Sequence, residues 1–238
     1  MYKSPKAAVT SGAALVLATL TSCAGAADVT ASNSDKDARA LVREARALVE
    51  DSPGYRIVGN QVTDGYRTDY DLCVRGGHDY QGSIEMSGRK ADMLVVGEQT
   101  YLRGDADFWR TLGRVNEGSE DEVAEAVERF ADRYARYTYD PTDPVDSAGA
   151  VFGARTDGYV KGERTRVEGR VVVPLRRTDE FDVIRTVYVA AYGKPYPVAI
   201  NTSGPDPQNA RLSRSERPCA PAVPPADRIV DAEEGWDQ

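Results

Sequence analysis

Tyr66-Arg-Thr-Asp-Tyr-Asp-Leu-Cys-Val-Arg75, Asp79-Tyr-Gln-Gly-Ser-Ile-Glu-Met86, Arg89-Lys-Ala-Asp-Met-Leu-Val-Val96 and Gln99-Thr-Tyr-Leu-Arg103 follow one another closely. Only Gly76-Gly77-His78, Ser87-Gly88 and Gly97-Glu98 separate them. In the first run Tyr66, Thr68, Tyr70, Leu72 and Val74 share one face, and Arg67, Asp69, Asp71 and Arg75 take the other. In the second, Tyr80, Gly82, Ile84 and Met86 oppose Asp79, Gln81, Ser83 and Glu85. A period of two with short turns predicts an antiparallel meander with one buried face, running on to Phe108-Trp109. What that face covers is the functional question.

Upstream, Ala38, Leu41, Val42, Ala45, Leu48 and Val49 recur at helical spacing. They predict a helix from near Ser34, its N-cap, to the stop at Ser52-Pro53-Gly54. A first strand over residues 55–62 then leads through Asp64-Gly65, a hairpin signal, into the meander. Downstream, Ser119-Glu120-Asp121-Glu122 reads as a capping box. Val123, Val127, Phe130, Tyr134 and Tyr137 follow at three- and four-residue spacing and extend the predicted helix through Arg136. Residues 138–155 hold two prolines, two glycines and several aspartates, and read as loop. Strands resume over residues 158–160, 165–175, 184–192 and 198–202. The second of these carries Val167, Val171 and Val173 on one face, and Tyr188 lies on the strand after it. From Gly204 the chain is rich in proline, serine and charge, and residues 204–238 predict a tail without packed elements. Helix, strands, helix, strands and tail make an α+β pattern: an antiparallel sheet covered by few helices.

The first 22 residues stand apart. Lys3 and Lys6 precede a short apolar, small-residue stretch, which suits an export signal better than a membrane span. Leu20-Thr21-Ser22-Cys23 then has the pattern of a lipobox. The reading is a lipoprotein signal peptide over residues 1–22, lipidation at Cys23, and a small, polar tether over residues 23–33. An ordinary signal peptide cut near Ala24 to Ala27 is the alternative. Lipidation predicts a chain outside the cytoplasm, held on the outer face of the cell membrane by acyl chains such as palmitate. An exported chain also permits disulfides. Cys73 and Cys219 are the two remaining cysteines. Cys73 falls on the polar face of its strand, within reach of a tail crossing the outer surface, so either a bridge or two free thiols is consistent with the sequence.

Composition narrows the function. Asp and Glu number 38 against 30 Lys and Arg, a formal charge of −8. That balance leaves no broad footprint for nucleic acid. His78 is the single histidine and lies in a turn sequence; no Gly-x-Ser-x-Gly elbow, phosphate-cradling glycine loop or cysteine metal motif is present. Asp140, Asp143 and Asp146 surround two prolines but lack the ligand order of an EF-hand. No catalytic residue, metal site or cofactor is predicted. A one-sided sheet with helices over it can bind. Tyr70, Leu72, Ile84, Met86, Met93, Val95, Val171, Val173 and Tyr188 from the strands, with Val123, Val127 and Phe130 from the helix, are the ligand-cavity candidates. The same residues would equally fill a core.

The chain resembles the actinobacterial LppX/LprAFG lipoproteins, within the broader LolA-like group. The resemblance spans residues 41–203. It rests on Gly54-Tyr55, Gly82-Ser83-Ile84, Val95-Val96-Gly97-Glu98-Gln99-Thr100-Tyr101-Leu102-Arg103-Gly104 before Phe108-Trp109, Val167-Glu168-Gly169, and Tyr188-Val189-Ala190-Ala191-Tyr192-Gly193-Lys194-Pro195-Tyr196-Pro197. It implies an unclosed half-barrel of antiparallel strands with helices over its concave side, and carriage of lipid or acylated glycolipid in a hydrophobic cavity. The Cys73/Cys219 pair and the proline-rich tail lie outside the family pattern. A non-catalytic envelope protein or sensor that binds a polypeptide partner on the same scaffold is the second functional reading.

Overall fold

In the computed structural model, which describes residues 32–63, 65–75, 79–138, 151–152, 156–179, 181–215 and 218–232, the first regular helix is α1, Ala38–Glu50. Asp37 caps it by accepting from the Ala40 amide at 2.7 Å, rather than Ser34 as the sequence predicted. Ser34 belongs instead to a 3-10 turn, Asn33–Asp35, capped by Ser32. The apolar stripe behaves as expected: Leu41, Val42, Ala45 and Val49 are buried. Ser32 and Asn33, read as the last residues of a tether, are packed against the fold. Asn33 is fully buried, and its side-chain amide donates to the Ala190 and Gly193 carbonyls at 2.8 and 2.9 Å. Cys23 and the rest of the leader lie outside the described residues, as do His78 and the acidic loop.

The meander forms as predicted from β1 (Tyr55–Thr63), β2 (Tyr66–Arg75), β3 (Asp79–Met86), β4 (Arg89–Val96) and β5 (Gln99–Gly104). Its register places Tyr70 beside Ile84 and Leu72 beside Gly82. Two positions on its inner face admit only glycine. A Cβ on Gly82 would lie 2.0 Å from the Asp71 carbonyl oxygen, and one on Gly59 would lie 2.2 Å from that of Asn209. The neighbouring backbones therefore close over these sites, as a strongly bent sheet requires.

The sequence reading and the structure part after Gly104. Phe108 and Trp109 do not end the meander but anchor a second helix, α2 (Ala106–Val115), capped by Asp105. The capping-box helix, α3, spans Glu120–Phe130 and has both reciprocal hydrogen bonds. It stops short of Arg136 because Asp132 turns left-handed at φ 61° and gives its amide to the Gly104 carbonyl. Asp is among the residues that tolerate that conformation. Tyr134 and Tyr137 consequently lie in a strand, β6 (Tyr134–Thr138), at the far side of β5. Val151 and Phe152, from the stretch read as loop, are fully buried, and Tyr159 donates to the Phe152 carbonyl at 2.6 Å.

The predicted strand over residues 165–175 is two strands. β7 is Val160–Lys161; β8 (Thr165–Val167) turns back through Glu168 and Gly169, at φ 50° and 79°, into β9 (Arg170–Thr178). β10 (Ile184–Ala190) and β11 (Pro197–Ser203) follow. The segment expected to hold no packed element supplies β12 (Gln208–Arg214) and β13 (Ile229–Asp231). β12 is central: it lies between β1 and β11 and pairs antiparallel with both. The described strands form one sheet in the order β13-β6-β5-β4-β3-β2-β1-β12-β11-β10-β9-β7, with β8 beside β9. All pairings are antiparallel except β13 on β6. β13 and β7 stand at opposite ends of that order and do not pair, so the barrel stays open. The fold is α+β, an unclosed antiparallel half-barrel with helices over its concave face.

Two buried clusters fill that face. Under α1, Leu41, Val42, Ala45 and Val49 meet Tyr55, Ile57, Val173, Leu175, Val187 and Leu212. Under α2 and α3, Phe108, Trp109, Ala126 and Phe130 meet Ala91, Leu102 and Ala135. Trp109 stacks against Phe130 with ring centroids 5.1 Å apart. On the opposite face the C-terminal segment forms a strap. Ser215 donates to the Gly54 carbonyl at 3.0 Å, and Cys219 is disulfide-bonded to Cys73 of β2 with Cα atoms 5.7 Å apart. Pro221 and Pro224 are buried on the way to β13. There Arg136 pairs with Asp231, Arg129 donates to the Asp231 carbonyl at 2.6 Å, and Ala232 is fully buried.

Candidate functional site

The predicted cavity residues divide by position. Tyr70, Met86, Val95, Val123, Phe130 and Val173 are at most 9% exposed. Leu72, Ile84, Met93, Val127 and Val171 are partly buried and pack against the same clusters, with Ile84 and Met93 touching both. Tyr188 is on the other face. Its neighbours Val187 and Val189 enter the core, while Tyr188 lines an outer groove with Val58, Asn60 and Arg211. Beneath the capping-box helix the space is filled by Trp109, Phe108 and Phe130. What opens at that helix is a hollow of about 460 Å³ at its junction with α2, edged by Glu117, Glu122 and Glu125.

A second hollow lies at the end of the concave face where β1 begins. It holds about 680 Å³, the size of a small-ligand site. Leu48, Val49 and Ser52 from the end of α1 form one wall; Tyr55, Val198, Leu212 and Arg214 from the strands form another. The β10–β11 connection closes it with Tyr192, Gly193, Lys194 and Tyr196. Each wall follows from local sequence. Leu48 and Val49 are the last apolar pair of the α1 stripe before Ser52-Pro53-Gly54 ends the helix. Tyr55 and Arg214 face each other across the β1–β12 pair. Arg214 lies over the Tyr196 ring at 4.9 Å, and Arg164 donates to the Tyr192 hydroxyl at 2.8 Å. The described chain starts at the same place, since Ser32 bridges Tyr192.

The other end of β1 is polar. Gln208 donates to the Tyr70 hydroxyl at 3.0 Å, and burial pushes the Tyr70 and Tyr159 phenols up. Arg185 stands beside both rings, and burial lowers its guanidinium pKa. Tyr137, beside the second cluster, is pushed up to about 12 by burial. The concave face thus runs from a tyrosine-rich end beside Arg185 to a hollow whose apolar wall meets Arg170, Lys194 and Arg214. Among the described residues no group of three or more His, Cys, Asp or Glu is arranged to hold a metal, and no helix is long and apolar enough to cross a membrane.

Sequence reasoning identified none of the hollow's lining as ligand contacts. Tyr192 was read as the end of a predicted strand, Lys194 and Tyr196 fall in the Pro-containing connection to the next one, and a gap in packing leaves no periodic signal.

No protein-family model matches the chain, and no curated protein does. Solved structures do. LprF from Mycobacterium bovis superposes with a TM-score of 0.47 at 11% identity, over 79% of this chain and 96% of that one. An uncharacterized conserved protein from Thermus thermophilus gives 0.42 at 7% identity, over 82% and 98%. MucB gives 0.40 at 12% identity, over 80% of this chain and 61% of its own.

Proposed function

We propose that the chain is an extracytoplasmic lipoprotein, anchored through Cys23 to the outer face of the cell membrane, that binds an acyl chain of a lipid or acylated glycolipid. The observation that carries this reading is the 680 Å³ hollow at the end of the concave face where β1 begins, walled by Leu48, Val49, Val198 and Leu212. Its position favours exchange with a membrane. Ser32 is held against Tyr192 on its rim, and the stretch from Cys23 to Ser32 can extend over at most about 30 Å. Burying an alkyl chain gains about 0.8 kcal/mol per methylene. Leu72, Ile84, Met93 and Val171, partly exposed along the concave face, are further contacts open to a longer lipid.

The reading is tested on the full chain carrying Cys23→Ser, which leaves no acyl group of its own. Solvent extraction followed by mass spectrometry should recover bound lipid, and a fluorescent fatty acid should be taken up. Leu212→Asp should weaken that uptake by at least about tenfold, because a carboxylate would replace an apolar wall. Absence of both extracted lipid and uptake would overturn the proposal.

One observation favours the second reading, a polypeptide partner: the outer groove of about 640 Å³, where Asp69, Asp71, Glu85 and Lys90 flank Val58 and Tyr188. The mixture of charge and apolar surface there suits a peptide segment. Cross-linking from a photoreactive residue at Val58 in cells should trap one defined protein; a pattern indistinguishable from an unmodified control would remove this reading.

A further inference from the structure

We infer that the hollow selects amphiphiles with an anionic head, a carboxylate or a phosphate, and that Arg170, Lys194 and Arg214 are its specificity-determining residues. The inference deepens the acyl-binding reading and rests on it. Its basis is the charge of the lining. In a chain with eight more acidic than basic residues, the hollow's lining contains three cations and no carboxylate. Among the described residues no acid pairs with Arg170, Lys194 or Arg214, although ten ion pairs occupy other cations. Glu50, at the end of α1, is taken by Arg46 at 2.7 Å.

The three cations are also placed by the fold and not gathered by chance on one loop. Arg170 opens β9, Lys194 sits in the β10–β11 connection and Arg214 closes β12. Arg214 is held over the Tyr196 ring, which orients its guanidinium without neutralising it. The apolar wall of Leu48, Val49 and Leu212 is then the seat for the chain of the amphiphile, and the cationic rim the seat for its head. A guanidinium matches either a carboxylate or a phosphate with two parallel hydrogen bonds. A fatty acid and an anionic phospholipid share this chemistry.

The test uses the full chain with Cys23→Ser and a fluorescent-labelled dodecanoate as probe, displaced by dodecanoate, dodecyl phosphate, dodecanol or dodecylphosphocholine. Dodecanoate and dodecyl phosphate should displace the probe at about tenfold lower concentration than dodecanol, and the gap should narrow as salt is added. The triple variant R170Q/K194Q/R214Q should lose that gap while still binding dodecanol, and the charge-conserving R170K/R214K should retain it. Cosedimentation with phosphatidylglycerol but not phosphatidylcholine vesicles, lost in the triple variant, would assign the head to a bilayer phospholipid; displacement by monomeric dodecanoate without cosedimentation would assign it to a free fatty acid. Equal displacement by dodecanol and dodecanoate, or an unchanged gap in the triple variant, would overturn the inference and leave acyl binding standing. Failure of every amphiphile to displace the probe would overturn both.

Discussion

Gly82 shows how closely one residue lets β2 and β3 approach each other. Its missing side chain lets the Asp71 carbonyl come within 2.0 Å of where a Cβ would be. Gly82→Ala therefore forces β2 and β3 apart in the bent part of the sheet. We expect a loss of about 3 kcal/mol, at the upper end for overpacking, measured as a shift in denaturant midpoint. Gly88, in the turn between β3 and β4, has a left-handed backbone but nothing within 4 Å of a would-be Cβ. Substitution there tests conformational strain alone and should cost less, about 1 kcal/mol. A reversed order of the two effects would show that close strand approach is not what holds the bend.

At the scale of elements, legibility in the sequence followed the strength of the period. The meander and α1 alternate over many residues against a single buried face, and both form within a few residues of the predicted bounds. The β8–β9 hairpin stayed hidden because Val167, Gly169 and Val171 alternate in sequence as one strand would, whereas the two-residue turn pairs Val167 with Arg170 and so leaves Val167 in the outer groove while Val171 packs on the core. β12 carries only Ala210 and Leu212 as inward apolar residues, too few to stand out from a polar segment. α2 was overlooked although Phe108, Trp109 and Leu112 fit a helical stripe, because the aromatic pair follows the meander directly and was read as its end. The strap could be anticipated at one point only, the outward-facing Cys73. Its bridge closes a sequence separation of 146 residues. Cys219→Ser should cost about 2–5 kcal/mol, seen as a lower Tm under non-reducing conditions. Limited proteolysis should then cut first between residues 215 and 229, where the disulfide anchors the segment at one end. A Tm equal to that of the unaltered chain would mean β13 alone holds the strap.

For the molecule as a whole, acid should act, among the described residues, through four carboxyl groups. Hydrogen bonds from Arg67, Arg56, Ser119 and Arg136 hold Asp69, Asp71, Glu122 and Asp231, respectively, below the usual carboxylate range. A depressed folded-state pKa means that the unfolded chain binds protons first as pH falls. The stabilisation is therefore complete above about pH 5, and it is lost as pH drops through about 4 and below. All four groups are largely exposed, so each contribution is small and screened by salt. A Tm profile should be flat from about pH 5 to 8 and descend below, and Asp71→Asn should make the descent shallower. Loss of stability beginning near neutrality would point to groups other than these.

The central position of β12 also dictates when the sheet can be completed. β1 leaves the exit point early with β2 to pair on one side, but its other edge waits for residues 208–214. Until they arrive, the strands up to β6 and those from β7 to β11 have no seam, and β1 and β11 each present an open row of backbone donors and acceptors. Open edges of that kind recruit foreign strands. A nascent chain halted before Gln208 thus has two half-sheets, each able to mispair, and its dependence on an attendant chaperone should end only when the last central strand has emerged.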